Sequence, residues 1–275
     1  MKKHFGILLL SIASISLGGC DFIRIGKEKA LERINDISDN LVYTDKVQCL
    51  QTRQTVDMTT ESKNGDNYIN RTANVYALNK FFTTINFVYS KLKTESTDLI
   101  SGESLSIETE TWKYIRGSKF YIVTSEIKNG VENKTYTVEK ATKELKNDFK
   151  KEMKESIDKA LNGLPRENAI ESTLDIVKDE TRDLDRKFIS YGKGNLSVTS
   201  SYHDFEESSS GTVELSEYQH YEWKRYALKS SHTKSETHTV NKETSDYSLT
   251  KFESTFSFKT FFLPGFPRLR QFKKQ

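Results

Sequence analysis

The sequence predicts an α+β protein: a curled antiparallel sheet of about eleven strands, shaped as a half-barrel, with an N-terminal helix and two mid-chain helices packed on its concave side. Three observations lead to this prediction. Ser, Thr, Phe and Tyr are abundant, whereas the 275 residues include only three prolines, a composition typical of strands. Apolar and polar residues alternate along most of the chain, and Asn-Gly pairs interrupt the alternation. Near the middle of the chain the apolar spacing changes to every fourth residue.

Composition limits the class of protein. Charged residues make up 29% of the chain, which carries 13 Tyr and 16 Phe. These numbers exclude a collagen, a coiled-coil rod, a multi-span membrane protein and a disulfide-stapled mini-domain. No Pro-, Gly- or Ser-rich linker divides residues 27–260, which favours one domain there over two domains joined by the central helices.

The first twenty residues have the pattern of an export signal. Two lysines precede an apolar run that ends at Leu17-Gly18-Gly19-Cys20, and this run is too short to span a bilayer. The last four residues resemble the lipobox of bacterial lipoproteins. That resemblance implies a signal peptide at residues 1–19, a lipid attached to Cys20 and a lipidated tether at residues 20–26. The alternatives are an ordinary signal peptide with a coincidental Cys, or a buried helix.

Several properties of the mature chain follow from such a cleavage. Removal of Lys2 and Lys3 lowers the formal charge from +3 to +1, so electrostatics gives no reason to expect nucleic-acid binding. Lipidation of Cys20 leaves Cys49 without a disulfide partner, and we expect Cys49 to be a buried small side chain. The protein is expected on the outer face of a cell membrane, or on the periplasmic side in a double-membrane bacterium.

Periodicity then places the elements in order. Residues 27–40 have helical spacing, and strands are predicted at 47–61, 68–78, 85–89, 105–114, 120–128 and 131–139. The stripe at 141–161 predicts a long helix that ends at Asn162-Gly163 before Pro165, and 169–177 predicts a shorter one. Further strands are predicted at 187–191, 196–205, 212–223, 225–240 and 247–259, followed by an aromatic and basic tail at 261–275.

This order of elements resembles the half-barrel of LolA-like lipid- and lipoprotein-binding lipoproteins, and residues 112–121 resemble a strand–turn–strand stretch common in them. The resemblance implies an apolar cavity on the concave side. In that case the outer part of the central helical stripe would line a ligand groove, through Leu145, Phe149, Met153 and Ile157. The alternatives are that this stripe is ordinary core, and that the fold is a generic β-rich α+β domain.

No constellation of residues indicates catalysis or a resident cofactor. His232 and His238 share a strand face but lie about 20 Å apart, too far for one metal ion. Ser208-Ser209-Ser210 has the composition of a solvated hairpin loop, and the strained Gly-x-Ser-x-Gly elbow is absent. We therefore expect no enzyme activity, no cofactor and no metal.

The tail offers a second contact with a membrane. Arg268, Arg270, Lys273 and Lys274 are interspersed with the aromatic residues of the C-terminal segment, and anionic headgroups would attract them. The alternative is a last strand followed by a solvated tail.

The function expected from the sequence is a membrane-anchored exported lipoprotein that binds a lipid or another hydrophobic molecule in a half-barrel groove. The alternative is a surface-exposed structural or protein-interaction lipoprotein, such as an adhesin, spacer or assembly subunit, without a small-molecule ligand. The sequence names no protein partner.

Overall fold

A computed structural model describes residues 23–39, 48–162, 164–178, 184–224, 227–260 and 265–275. Within these ranges, thirteen strands form one sheet. The strands are β1 Ile23–Arg24, β2 Cys49–Asn64, β3 Asn67–Phe82, β4 Phe87–Asp98, β5 Ser104–Arg116, β6 Lys119–Lys128, β7 Val131–Lys140, β8 Arg186–Gly192, β9 Asn195–Glu207, β10 Gly211–Lys224, β11 Ala227–Asn241, β12 Tyr247–Lys259 and β13 Lys273–Lys274. The α-helices in the described residues are α1 Lys27–Asp39, α2 Lys143–Asn162 and α3 Leu164–Lys178.

The sheet is a single curled, unclosed layer, as the sequence predicts. Its strand order is β1-β8-β9-β10-β11-β12-β2-β3-β4-β5-β6-β7-β13, and every pairing is antiparallel except that of β13 with β7. The eleven longer strands, β2 to β12, match the predicted number. The two additional strands, β1 and β13, lie at the edges of the sheet. Each contains only two residues, which are too few to show a periodic pattern.

Helices α1 and α3 pack together on one face of the sheet, called here the inner face. They form a buried cluster with β8 to β11, in which Ala30, Ile34 and Val177 meet Leu196 and Trp223. Pro165 lies in the first turn of α3, where its missing N–H and fixed φ are tolerated, and α2 ends before it at Asn162.

Helix α2 covers the neighbouring part of the inner face. Met153 and Ile157 pack on Leu50 of β2 and Phe81 of β3. One turn earlier, Phe149 packs on β6 at Phe120, with the two ring centroids 5.0 Å apart. The three helices therefore cover the same end of successive strands.

The C-terminal segment packs on the opposite, outer face. Phe266 makes edge contacts with Phe87 and Tyr114, whose ring centroids lie 5.2 and 5.1 Å away. Phe272 makes a similar contact with Trp112 at 6.0 Å. β13 then pairs with β7, so that residues 265–275 pack along the sheet.

Burial is concentrated at the end of the sheet that carries the helices, the covered end. The buried strand residues include Leu50, Phe81, Phe120 and Trp223, all within a few residues of that end. At the opposite end, the open end, the strands continue to the β2–β3, β4–β5, β6–β7, β9–β10 and β11–β12 turns without a helix against them. About half of the inner face therefore has no second layer among the described residues.

Candidate functional site

A cleft of about 660 Å³ lies on strands β2 to β5 at the open end of the sheet. Its lining combines aliphatic side chains, short hydroxyl side chains and three charged side chains. The lining residues are Met58, Thr60, Ile69, Arg71, Thr72, Ala73, Ser96, Thr97, Asp98, Glu103, Ser104 and Leu105.

Strand register explains why aliphatic side chains meet there. Met58 is eight residues from Leu50 on β2, so both side chains point to the inner face. Met58 pairs with Ala73, Ala73 pairs with Ser96 and Ser96 pairs with Leu105, which makes one row across four strands. The helices cover Leu50 but not this row.

The large aliphatic side chains in and beside this row are unusually exposed. Met58 is 42% exposed, Ile69 41% and Leu105 40%, and Leu92 on the same face of β4 is 50% exposed. Single exposed apolar residues are common, but a contiguous apolar patch on a concave surface is typical of a ligand or interaction site.

An ion pair forms the polar rim of the cleft. Arg71 Nε donates to Asp98 Oδ2 over 3.2 Å, and the backbone N–H groups of Ile100 and Ser101 donate to Asp98 Oδ1. The hydrogen bonds from Ser101 and Ile100, and then the one from Arg71, lower the pKa of Asp98, so this carboxylate stays ionised. Asp98 thus fixes Arg71 at the edge of an apolar surface.

The predicted groove residues of α2 lie elsewhere. Phe149, Met153 and Ile157 are 3%, 2% and 1% exposed and fill the space between α2 and the covered end, and Leu145 is partly buried beside Phe149. None of the four lines the cleft at the open end. A groove lined by this stripe stays a prediction, and it requires α2 to move off the sheet.

Of the two predicted membrane contacts, the structure describes the basic C-terminal residues but not the lipid attachment site. Cys20 and the rest of the signal and lipobox lie outside the described residues. Arg268, Arg270, Lys273 and Lys274 are all exposed. In the described part of the chain, none of the helices combines the length and the apolar character needed to cross a bilayer.

The histidines occupy the outer face of β9 to β11. His203 Nε2 lies 3.1 Å from Glu214 Oε1, in agreement with the predicted fold of the β9–β10 hairpin.

His220 lies directly opposite His232, a pairing that the sequence analysis missed. The predicted strand limits, 212–223 and 225–240, place the centre of that hairpin too early, because Lys224 pairs with Ala227 and a bulge between Glu222 and Trp223 shifts the register by one further residue. Among the described residues no three His, Cys, Asp or Glu side chains come together as a metal site.

Comparison with known proteins gives only a distant structural likeness. No protein-family model matches the sequence, and no curated protein matches it. The chain is similar to a beta-barrel-like protein of the domain of unknown function DUF1849 from Brucella abortus, with 10% identity, a TM-score of 0.26, and coverage of 78% of this chain and 100% of that one. It is also similar to the translocator domain of the autotransporter NalP from Neisseria meningitidis, with 5% identity, a TM-score of 0.18, and coverage of 84% and 95%. TM-scores this low carry no argument about function.

The fold and the cleft together define a coarse class: a protein with a barrel-like, unclosed antiparallel sheet and an exposed concave surface. Such a surface is compatible with a binding or a structural role.

Proposed function

We propose that this protein is an exported lipoprotein, anchored through Cys20, that holds the apolar chain of a lipid or a similar molecule in the cleft at the open end without converting it chemically. The observation that carries the proposal is the row on the inner face in which exposed Met58 and Leu105 flank half-buried Ala73, beyond the reach of the helices.

The size of the cleft supports an acyl chain as occupant. Small-molecule sites commonly enclose about 300–1,000 Å³, and a volume of about 660 Å³ falls within that range. Each methylene group that leaves water contributes about 0.8 kcal/mol, so a chain that covers this row gains affinity with its length. Met58 suits such a role because its unbranched thioether adapts to varied shapes.

A substitution inside the cleft tests the binding role. Met58→Asp in the full chain introduces a charge into the apolar row, and we expect it to weaken binding of the fluorescent fatty acid cis-parinaric acid at least tenfold. Thr59→Asp is the matched control, since it adds the same charge to the other face of the same strand. Equal affinities of the two variants would exclude the cleft as the binding site.

The anchor is tested independently of the cleft. Cells that express the full chain with Cys20→Ser should incorporate no labelled palmitate into the protein, whereas Cys49→Ser should be labelled normally. Cys49 is suited as the control because it is a free cysteine within the sheet. Normal labelling of the Cys20→Ser protein would refute the lipoprotein proposal.

The basic side chains Arg268, Arg270, Lys273 and Lys274 are proposed as a second contact with anionic headgroups. Their exposure supports this, as does the packing of Phe266 and Phe272 on the sheet, which leaves the charged residues of the segment in solvent. In the Cys20→Ser chain, which would lack the acyl anchor, binding to phosphatidylglycerol vesicles should fall when all four are replaced by Gln and should be absent with phosphatidylcholine vesicles. Unchanged binding after the replacement would refute this contact.

A protein-interaction lipoprotein is the second candidate, and one feature favours it. Leu99 and Ile100, in the turn between β4 and β5, are 53% and 52% exposed and lie outside the cleft lining. A photo-crosslinking amino acid at position 99 in intact cells should capture a protein under this proposal. Capture of lipid alone would favour the cleft proposal instead.

A further inference from the structure

Two histidines face each other across neighbouring strands on the outer face of the sheet. His220 of β10 pairs with His232 of β11 in the antiparallel register. Side chains at directly opposed positions have Cβ atoms about 4.5–5.5 Å apart. This spacing lets two imidazole rings approach the same point above the sheet, unlike the wide spacing of His232 and His238 along one strand.

Each ring is already oriented by a hydrogen-bond partner. His220 Nδ1 lies 2.8 Å from Thr199 Oγ1, and His232 Nε2 lies 2.8 Å from Glu253 Oε1. The ring of Tyr218 packs edge-on against His232, with centroids 5.4 Å apart, which restricts rotation of that imidazole. Metal-binding histidines typically have such a partner on the nitrogen that does not bind the metal, and a carboxylate is a common one.

The remaining nitrogens are free to act as ligands. His220 Nε2 and His232 Nδ1 make no hydrogen bond with any described residue. We propose that these two nitrogens bind one divalent transition-metal ion, such as Zn²⁺, whose other coordination positions are filled by water. Zinc–nitrogen distances of about 2.0–2.1 Å can be met by rings on opposed strand positions.

Carboxylates and lysines both surround the two histidines, and Lys234 of β11 lies on the same face, opposite Glu253. Burial lowers the pKa of His220; Glu222 opposes this effect and the adjacent His232 adds to it. Glu222 and Glu253 are the nearby carboxylates. Lys229 Nζ lies 2.6 Å from Glu222 Oε1 and partly neutralises it, whereas Glu253 is bonded to His232 itself. The contact with Glu253 holds the His232 ring in place, as a carboxylate partner does for a metal-binding histidine.

Zinc titration of the full chain at pH 7.5, followed by calorimetry, tests the site. We expect one Zn²⁺ per chain, and at least a tenfold loss of affinity in both His220→Gln and His232→Gln. His203→Gln is the matched control, because His203 is another histidine of the same face with a carboxylate partner, and it should leave the affinity unchanged. Glu253→Gln tests a positioning role and should weaken binding by about 10- to 100-fold.

Imidazole NMR signals give a second readout that does not depend on the variants. Zn²⁺ should shift the signals of His220 and His232 together, at the same metal-to-protein ratio, while the signals of His203 and His238 stay in place. A shift of only one of the two imidazoles would overturn the proposal. Wild-type zinc affinity in the His220→Gln/His232→Gln double variant would overturn it as well.

Discussion

The indole Nε1 of Trp223 donates a hydrogen bond to Oγ1 of Thr173 over a distance of 3.4 Å. Both side chains are almost completely buried, with 1% and 0% exposure, between α3 and β10. The same Thr173 hydroxyl donates to the carbonyl oxygen of Ala169 within α3. The Thr173 hydroxyl therefore accepts a hydrogen bond from the buried indole N–H of Trp223, the largest core side chain. This bond links α3 to the sheet.

Replacing Thr173 with Val should destabilise the protein by about 1–3 kcal/mol, because the indole N–H would stay buried without an acceptor. Urea unfolding measures the change. Ser172→Ala, on the adjacent and less buried position of α3, is the control and should change the free energy of unfolding by less than about 0.5 kcal/mol. Equal stabilities of the two variants would contradict a structural role for this hydrogen bond.

Truncation of Met153 tests whether α2 contributes core or groove. Met153→Ala should cost about 2–5 kcal/mol of unfolding free energy, since Met153 is 2% exposed and packs on Leu50 and Phe81. The exposed Lys151→Ala should have little effect. Under conditions where Met153→Ala is folded, fatty-acid affinity should equal that of the wild type, and a selective loss of affinity would instead support the groove predicted along α2.

Close backbone packing at Gly211 leads to a third prediction. A Cβ added there would overlap the carbonyl oxygen of Val240 on the neighbouring strand β11. Gly211→Ala should therefore destabilise the protein by about 1–3 kcal/mol as the strands separate locally. At Gly265 an added Cβ meets no atom within 4 Å, so Gly265→Ala should leave the thermal midpoint unchanged. Loss of stability in the Gly265 variant alone would contradict this prediction.

A carboxylate on the outer face leads to a prediction about pH. Tyr247 and Tyr68 donate hydrogen bonds to Glu61 over 2.7 and 2.9 Å, and they lower the pKa of Glu61, with Tyr247 as the larger cause. The stabilisation from this depressed pKa is present above the unfolded-state pKa and is lost as the pH falls through the folded-state pKa. Tyr247→Phe should raise the folded-state pKa of Glu61 toward its unfolded-state value, so that this stabilisation becomes smaller and its loss is complete at a higher pH.

Carbon-13 NMR titration of the Glu61 carboxyl measures that shift. Tyr68→Phe should raise the midpoint by a smaller amount than Tyr247→Phe. An unchanged midpoint in Tyr247→Phe would show that this hydrogen bond has no role in the titration.

Local pattern was enough to predict much of the fold. Alternation revealed the eleven longer strands, and Asn-Gly marked turns such as the one at Gly65, where φ is +58° and glycine is favoured. The change to a four-residue spacing revealed α2. The strand predicted at 85–89 is shorter than the observed β4. The half of β4 nearer the open end, residues 91–98, carries charged and hydroxyl side chains on both faces, so no alternation was visible there.

The cleft could not be predicted, because its residues follow the same alternation as those of the core. Met58 and Leu50 share one face of β2, and only the length of the helices relative to the strands decides that Leu50 is buried and Met58 is exposed. In the same way, the apolar stripe of α2 predicted which face of the helix is apolar, but it did not predict whether the sheet or a ligand covers that face. The His220–His232 pairing depends on a bulge that has no signal in the local pattern.

The attachment point of β1 determines how a tethered molecule would stand on a membrane. Ile23 pairs with Tyr191 beside the β8–β9 turn, at the covered end, and it lies three positions after Cys20, a reach of about 10 Å. Met58 lies eight residues farther along β2 than Leu50, roughly 26 Å toward the opposite end. If Cys20 is acylated, the mouth of the cleft points away from the supporting leaflet. A hydrophobic cargo would then be exchanged with a carrier or a second membrane across the aqueous gap, and not by lateral entry from the bilayer below.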